Sequence, residues 1–301
     1  GYDASTTLSR RTGIGRAVLE LFRAMVALED DRFEFRVLLS SLLKKPSIDH
    51  EFLKQSDQVN VYRSRRPGSW MVKKWASQKG PYVEDLLGEV GLFHAPASYI
   101  PPTKKARRVV SVYDIAFLEE PEASRDPLGG ALFEKSFPKI LPKCEAIVTS
   151  SEYTRHRLID RYDLSEEQVC AIPLAVNHGL FKPANERFVE IAVHHVGLHK
   201  GDFLLSVTSH QHRKRNWLLL ETYEKLLERY PETPPLVVIG WDGKPPRELK
   251  MKPHLHRHVF VLERVPEDQL PGLYTTALAT ILTSSHEGFG FPVLEANACG
   301  S

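Results

Sequence analysis

The sequence predicts an α/β protein built from doubly wound parallel sheets. Two observations carry this. Short apolar runs bounded by turn or polar residues recur at Val109–Val112, Ala146–Ser150, Phe203–Thr208, Leu236–Ile239, Val259–Leu262 and Ala279–Leu282, as strands buried on both faces should read. Between them lie amphipathic stretches at helical spacing, such as Ile14, Val18, Leu21, Phe22, Met25 and Leu219, Tyr223, Leu226, Leu227. Strand and helix in alternation call for parallel strands with helices on both faces.

The 301 residues suit two domains. The stretch Pro173-Leu-Ala-Val-Asn-His-Gly-Leu-Phe-Lys-Pro183 interrupts the alternation with turn formers, so the expected boundary follows it, giving domains 1–183 and 184–301. Asp3-Ala-Ser reads as the exit of a first strand. The sequence stops at Cys299-Gly-Ser301 straight after a helix pattern, so the second domain is expected to be incomplete.

Composition removes several classes. Hydrophobic residues at 42% and charged residues at 26% exclude disorder over most of the length. Forty Lys+Arg against 38 Asp+Glu leave a net charge of +2, no footprint for nucleic acid. Cys144, Cys170 and Cys299 form no Cys-x-x-Cys pair, so a disulfide framework and a zinc ribbon are both unsupported and a reducing, cytoplasmic setting is expected. There is no P-loop, no Gly-x-Ser-x-Gly elbow and no Asp-x-Asp. His254, His256 and His258 alternate as if on one strand face, and His194, His195 and His199 form a second group. Neither has a carboxylate or cysteine at ligand spacing, so no metal site is assigned.

Ala279-Thr-Ile-Leu-Thr-Ser-Ser-His-Glu-Gly-Phe-Gly-Phe-Pro-Val-Leu-Glu-Ala-Asn-Ala-Cys299 carries the most chemistry. It reads as strand, glycine loop and helix, with Pro292 in the first helical turn. Gly288 and Gly290 then fall at the carboxyl end of a strand, where doubly wound sheets bind ligands and where a missing Cβ lets backbone approach them. Glu287 before the helix and Glu295 inside it could grip hydroxyl groups; a tight turn with a solvated first-turn acid would read the same way.

A second segment, His210-Gln-His-Arg-Lys-Arg-Asn216, stands between a strand and the helix from Trp217 onward. Cations at a helix N-terminus oppose its dipole by about 0.3–1 kcal/mol each. Arg213, Lys214 and Arg215 therefore point to a bound anion such as a diphosphate, or to an exposed basic loop. Arg16 repeats the pattern more weakly. The one strongly basic tract, residues 62–79, contains no acid and carries Trp70 and Trp75, which suits an anionic membrane surface as well as an ordinary loop and helix.

These segments together resemble the family 4 retaining glycosyltransferases of the GT-B fold, whose hallmark is Glu, seven residues, Glu. Glu287 and Glu295 match it without a gap. Thr12-Gly-Ile-Gly-Arg16 is similar to the family's N-terminal glycine loop, Phe93-His-Ala-Pro96 to its acceptor-side loop, Tyr113-Asp-Ile-Ala-Phe-Leu118 to a His-Asp-x-x-x-Leu stretch, Ala146–Arg155 to a Val-Ser-Glu-x-Ser segment and Pro173–Asn177 to the interdomain link. The resemblance implies two Rossmann-like domains facing a cleft. The first would bind the acceptor, through His94 and Asp114, and the second the nucleotide sugar. Glu287 would hold the donor sugar and the backbone of Gly288, Phe289 and Gly290 the phosphate. Glu295 would take the ribose, Arg213 and Lys214 the diphosphate, Arg264 and Val265 the base region, and Gly13 and Gly15 would approach the donor from the facing domain. Tyr113 stands where many relatives have His. It keeps a hydroxyl donor but cannot become cationic near neutral pH. Arg215 and Ser209 also depart from the pattern.

The implied reaction is metal-independent, needs no cofactor and retains configuration, with a front-face displacement. The variants of the quoted motifs look most like mannosyltransferases of bacterial surface polysaccharide assembly. The expected donor is therefore GDP-mannose, with UDP-glucose and UDP-N-acetylglucosamine open, and the expected partner is a saccharide or lipid-linked acceptor at the inner face of the cytoplasmic membrane. A nucleotide-sugar epimerase or phosphorylase on the same fold, and a non-catalytic sugar-nucleotide sensor, are the rival readings.

Overall fold

The protein is described by a computed structural model covering residues 1–8, 13–41, 53, 56–119, 127–185, 189–190, 197, 199, 201–241, 244–262 and 265–301. The described residues up to Leu174 form one compact unit and those from Ala175 onward another. The division thus precedes the expected boundary at residue 183. The reason is local packing: Phe181 is buried among Phe203, Leu205 and Tyr274 of the second core, with Val176 and Leu180 against it.

In chain order the first unit contains β1 (Tyr2–Asp3), α1 (Gly13–Ala27), β2 (Phe35–Ser40), β3 (Val59–Ser64), α2 (Gly68–Ala76), α3 (Val83–Leu87), β4 (Leu92–Ala95), β5 (Arg107–Val112), α4 (Ala116–Glu119), α5 (Pro127–Ile140), β6 (Ala146–Thr149), α6 (Glu152–Tyr162) and β7 (Val169–Ala171). Its seven strands pair in parallel in the order β3-β2-β1-β4-β5-β6-β7. The chain winds outward from β1 on one side and from β4 on the other, so the switch point lies between them.

The second unit contains β8 (Leu204–Val207), α7 (Asn216–Arg229), β9 (Leu236–Ile239), α8 (Arg247–Lys250), β10 (Val259–Leu262), α9 (Leu270–Thr276), β11 (Ala279–Thr280) and α10 (Phe291–Cys299). Its strands are parallel in the order β10-β9-β8-β11, and its switch point lies between β8 and β11.

Alternation along the strands splits each core across its sheet. Val37 and Leu39 join Tyr2, Val18 and Phe22 on one face, whereas Leu38 joins Val110, Ile147 and Leu158 on the other. In the second sheet Leu205, Val237 and Ile239 pack with Phe203 and Tyr274, and Leu204, Leu236 and Val238 pack with Leu219, Tyr223 and Trp241. Helix ends follow their sequence signals: Ser151 caps α6 by accepting from the Thr154 N–H at 3.2 Å, and Asp163 closes it in the left-handed region.

Three sequence expectations change. The glycine segment around Gly13 and Gly15 is not a loop at those residues: both lie in the first turn of α1, Gly13 exposed and Gly15 buried. Phe93-His-Ala lies in strand β4, where His94 pairs with Tyr2 of β1 and all three residues pair with β5. His254 and His256 lie in a 3-10 turn, Pro253–Arg257, and share no strand with His258. His254 instead meets Glu224, and His256 bonds the Leu249 carbonyl. Of the second histidine group, His194 and His195 lie outside the described residues.

Candidate active site

The polar residues of the second unit gather at its switch point. The carboxyl end of β8 runs into a 3-10 turn, His212–Lys214, before Arg215 adopts the left-handed conformation and α7 begins at Asn216. The carboxyl end of β11 runs through Thr283–Gly290 into α10. Hydrogen bonds join the two exits. The Ser285 N–H donates to the Arg213 carbonyl at 2.8 Å, and the Thr283 hydroxyl donates to the Lys214 carbonyl at 2.9 Å. Asn216 closes the turn from below, donating to the Ser209 carbonyl at 2.8 Å and accepting from the Thr208 hydroxyl.

Gly240, at the end of β9, is required for this arrangement. Its φ is +105°, and a Cβ there would stand 1.9 Å from the Thr208 carbonyl oxygen. No side chain fits where β9 passes this close to the exit of β8.

The turn and the exit bring their charged side chains together. Arg213 donates to the Glu287 carboxylate at 3.0 Å and to the His286 carbonyl at 2.7 Å, and Lys214 donates to the other Glu287 oxygen. The three side chains are 16%, 11% and 20% exposed for Arg213, Lys214 and Glu287. Burial by itself would push the Glu287 carboxyl up; the Lys214 ammonium, its hydrogen bond and Arg213 outweigh this and hold it below the ordinary carboxylate range. The anion that the basic turn calls for is thus supplied within the chain by Glu287.

Glu295 is placed differently. It lies on the buried side of α10 with Ala296 and Cys299, is 3% exposed, and accepts a 2.9 Å hydrogen bond from the Tyr274 hydroxyl. Tyr274 gave no sequence signal, because it sits in an ordinary apolar helix pattern. Gly288, Phe289 and Gly290 form the half-buried loop before α10, with Gly290 in the left-handed region at its N-cap and no side chain capping the helix. Pro292 brings no N–H to that first turn, and the Val293 N–H donates to the Gly290 carbonyl at 3.0 Å. Val265 packs at the edge of the second core, and Arg264 lies outside the described residues.

The first unit brings other expected residues together at its own switch point. Tyr113 and Asp114 leave the carboxyl end of β5 and line a cavity of about 290 Å³ with Thr6, Ile14, Tyr99 and Phe133. The rings of Tyr99 and Phe133 pack at a tilt of 38°, with centroids 5.2 Å apart. Burial pushes the Tyr113 hydroxyl up to about 12, so it remains a neutral donor, and among the described residues it meets no hydrogen-bond partner. Asp114 accepts from the Ala116 N–H at 3.2 Å and opens α4. His94 does not line this cavity. It sits within β4, its Nε2 2.9 Å from the Ser111 hydroxyl, and burial lowers it to about 4. Tyr99 and Phe133 carry no motif; only the crossing of β4, β5 and α5 reveals them.

The basic tract 62–79 divides between β3 and α2. Trp75 is core, 3% exposed, with its indole N–H on the Pro81 carbonyl at 3.2 Å, so it is not available to a surface. Trp70 is 41% exposed, with the Lys74 ammonium 5.7 Å from its ring centre. Cys144, Cys170 and Cys299 are all free. Among the described residues no helix is long and apolar enough to cross a membrane, and no three of His, Cys, Asp and Glu converge as a metal site would require.

Two units of parallel sheet, each with a polar site at its switch point, give the chain the GT-B fold. Residues 193–301 match the family described as Glycosyl transferases group 1. It is 24% identical over 308 aligned residues to the O-antigen chain mannosyltransferase B of Escherichia coli, covering 96% of this chain and 77% of that protein. The sucrose-phosphate synthase of Thermosynechococcus elongatus superposes with a TM-score of 0.71 at 16% identity, over 100% of this chain and 79% of that one. The HepE protein of Anabaena, solved in complex with UDP-glucose, superposes with a TM-score of 0.66 at 14% identity, over 99% and 78%.

Proposed function

We propose that the protein is a retaining, metal-independent hexosyltransferase. It moves mannose from GDP-mannose to a saccharide or lipid-linked acceptor during assembly of a surface polysaccharide. The observation that carries this reading is the convergence of Arg213, Lys214 and Glu287 beside the glycine loop that leads into α10.

Each group has a task that follows from its chemistry. A diphosphate displaces the Glu287 carboxylate from Arg213 and Lys214, since it offers these cations more charge and more acceptor oxygens. Glu287, released, accepts hydrogen bonds from the sugar's hydroxyls, while backbone of the Gly288–Gly290 loop faces the phosphate. The acceptor hydroxyl attacks the anomeric carbon on the face from which the diphosphate departs. The new C–O bond forms as the bond to the diphosphate oxygen breaks, and a phosphate oxygen takes the hydroxyl proton. Arg213 and Lys214 stabilise the charge that grows on the leaving group, which is catalysis by prepositioned donors. A ribose contact by Glu295 requires that Tyr274 yield its hydrogen bond.

The cavity at Tyr113 and Asp114 is the acceptor end of this scheme. Tyr99 and Phe133, packed at a tilt, offer apolar surface to a sugar ring, and Tyr113 offers a neutral hydroxyl where many relatives have His. Mannose is supported by the motif variants and by the named activity of the Escherichia coli relative; the UDP-glucose bound to the Anabaena neighbour keeps a UDP-sugar as the alternative. Exposed Trp70 with Lys74 supports peripheral placement at the inner face of the cytoplasmic membrane.

A donor panel of GDP-mannose, UDP-glucose and UDP-N-acetylglucosamine, with mannosylated lipid acceptors and chelator present, tests the reading. The expected result is acceptor-dependent product with the donor's anomeric configuration, reduced at least a hundredfold by Lys214→Ala. Conversion of donor without acceptor would indicate an epimerase or phosphorylase. Tight donor binding with no turnover, and affinity alone lost in Glu287→Ala, would indicate a sensor.

A further inference from the structure

The first unit holds a larger cavity that the proposed reaction does not use. It has a volume of about 650 Å³ and lies between α2 and α5, within the roughly 300–1,000 Å³ range of ligand sites. Arg108, near the start of β5, and Lys143, just before β6, line it, so it sits toward the amino ends of these strands. The cavity at Tyr113 and Asp114 sits at the opposite, carboxyl ends.

Lys73, Arg108, Lys135, Lys139 and Lys143 line the groove, and no carboxylate does. Among the described residues none of the five forms an ion pair. Acids on neighbouring elements are engaged elsewhere. Glu134 pairs with Arg161 and Glu145 with Arg107, Asp85 meets Lys104, and Glu84 accepts from the backbone N–H groups of Lys104, Lys105 and Ala106. Helix dipoles do not balance the charge. Lys73 and Lys139 stand in the last turns of α2 and α5, and two helix C-termini at about −0.5 each offset only about one of five positive charges. Lys135 and Lys139 repel across one helical turn. Arg108 is held in place, donating to the Gln78 side-chain oxygen at 2.9 Å and the Lys143 carbonyl at 3.2 Å. Beside the cations, Ala76, Leu132 and Ile140 give the groove an apolar side.

Independently of the transfer reaction, we infer that this groove binds a phosphate-bearing ligand with at least two negative charges presented together. A multiply charged anion removes the mutual repulsion of the five cations and gains charge-assisted hydrogen bonds from them. Lipid head groups and soluble phosphate esters share this chemistry.

Two probes separate the sources: sedimentation with phosphatidylcholine vesicles with or without equimolar phosphatidylglycerol, and calorimetric titration with pyrophosphate. Each is applied to the wild type, to Lys135→Glu/Lys139→Glu in the groove, and to Lys225→Glu/Lys250→Glu, the same charge change on the second unit. The groove variant is expected to lose at least tenfold in affinity for the probe that binds, while the control keeps it. Loss of vesicle binding assigns a lipid head group, and loss of a pyrophosphate site without vesicle binding assigns a soluble phosphate. The inference fails if neither probe reports a site sensitive to the groove variant, or if both double variants lose affinity equally, which is the signature of net charge alone. Melting curves of both variants, neither expected to fall well below the wild type because all four lysines are exposed, keep a folding defect from imitating the result. The donor site reports separately through retained GDP or UDP binding in the groove variant.

Discussion

Glu287→Gln isolates the charge at the centre of the candidate site. The side chain keeps its shape and one carbonyl acceptor, but Arg213 and Lys214, 16% and 11% exposed, lose their counter-charge. Removing one partner from a buried ion pair costs about 3–5 kcal/mol. Partial exposure argues for the low end, and the retained acceptor returns about 1 kcal/mol. The expected loss is about 2 kcal/mol, which for a unit of this size lowers the melting temperature by about 8 °C. Ligand binding should move the other way. A diphosphate oxygen on Lys214 lies on the order of 5 Å from the carboxylate it displaces, and at an effective dielectric of about 20 the repulsion is about 3 kcal/mol per charge before screening. If screening leaves half, GDP without sugar binds the variant about tenfold more tightly, while transfer falls at least a hundredfold. Differential scanning fluorimetry with and without GDP reads both effects. An unchanged melting temperature, or weaker GDP binding in the variant, would refute the reasoning.

Other expectations follow from the same geometry. The destabilisation by Glu287→Gln depends on pH: because the folded carboxyl is held below its ordinary value, the unfolded chain binds the proton first as pH falls, so the ion-pair contribution is complete above the ordinary carboxylate pKa and disappears as pH drops through the lower folded value. Melting of wild type and variant should therefore converge in acid, and a constant gap would contradict the assignment. Gly240→Ala sets a Cβ against the Thr208 carbonyl at a positive φ and should cost about 3 kcal/mol with loss of nucleotide binding; calorimetric unfolding that matches the wild type would show that the two strand exits can separate freely. The His94 imidazole, buried against Ser111, should titrate by NMR with a midpoint of about 4, and a midpoint near the ordinary value of about 6.5 would place it in solvent.

Local signals carried much of the architecture. Strands Leu236–Ile239 and Val259–Leu262 have the predicted bounds, and the helix periods at Ile14–Met25 and Leu219–Leu227 lie inside α1 and α7. Periodicity, turn formers and the proline after the glycine loop all act over a few residues, so they are readable along the chain. The segment from Ala279 to Cys299 was legible as strand, loop and helix for the same reason, and its two glutamates could be singled out.

What the two glutamates do was decided in three dimensions. They are eight positions apart, yet one is presented to the basic turn and the other is sealed against Tyr274. The difference arises because α10 packs one side against the second core while its preceding loop does not. Arg213 meets Glu287 across 74 positions only because β8 and β11 are neighbours in the sheet. Likewise His94 entered a strand, Trp75 entered the core, and five dispersed cations came to line one groove. Side-chain pattern determines whether a segment becomes strand or helix. Which segments then lie side by side depends on how the crossovers stack the strands, and that placement, set by the burial of both faces of each sheet, is what assembles charges from distant positions into a site.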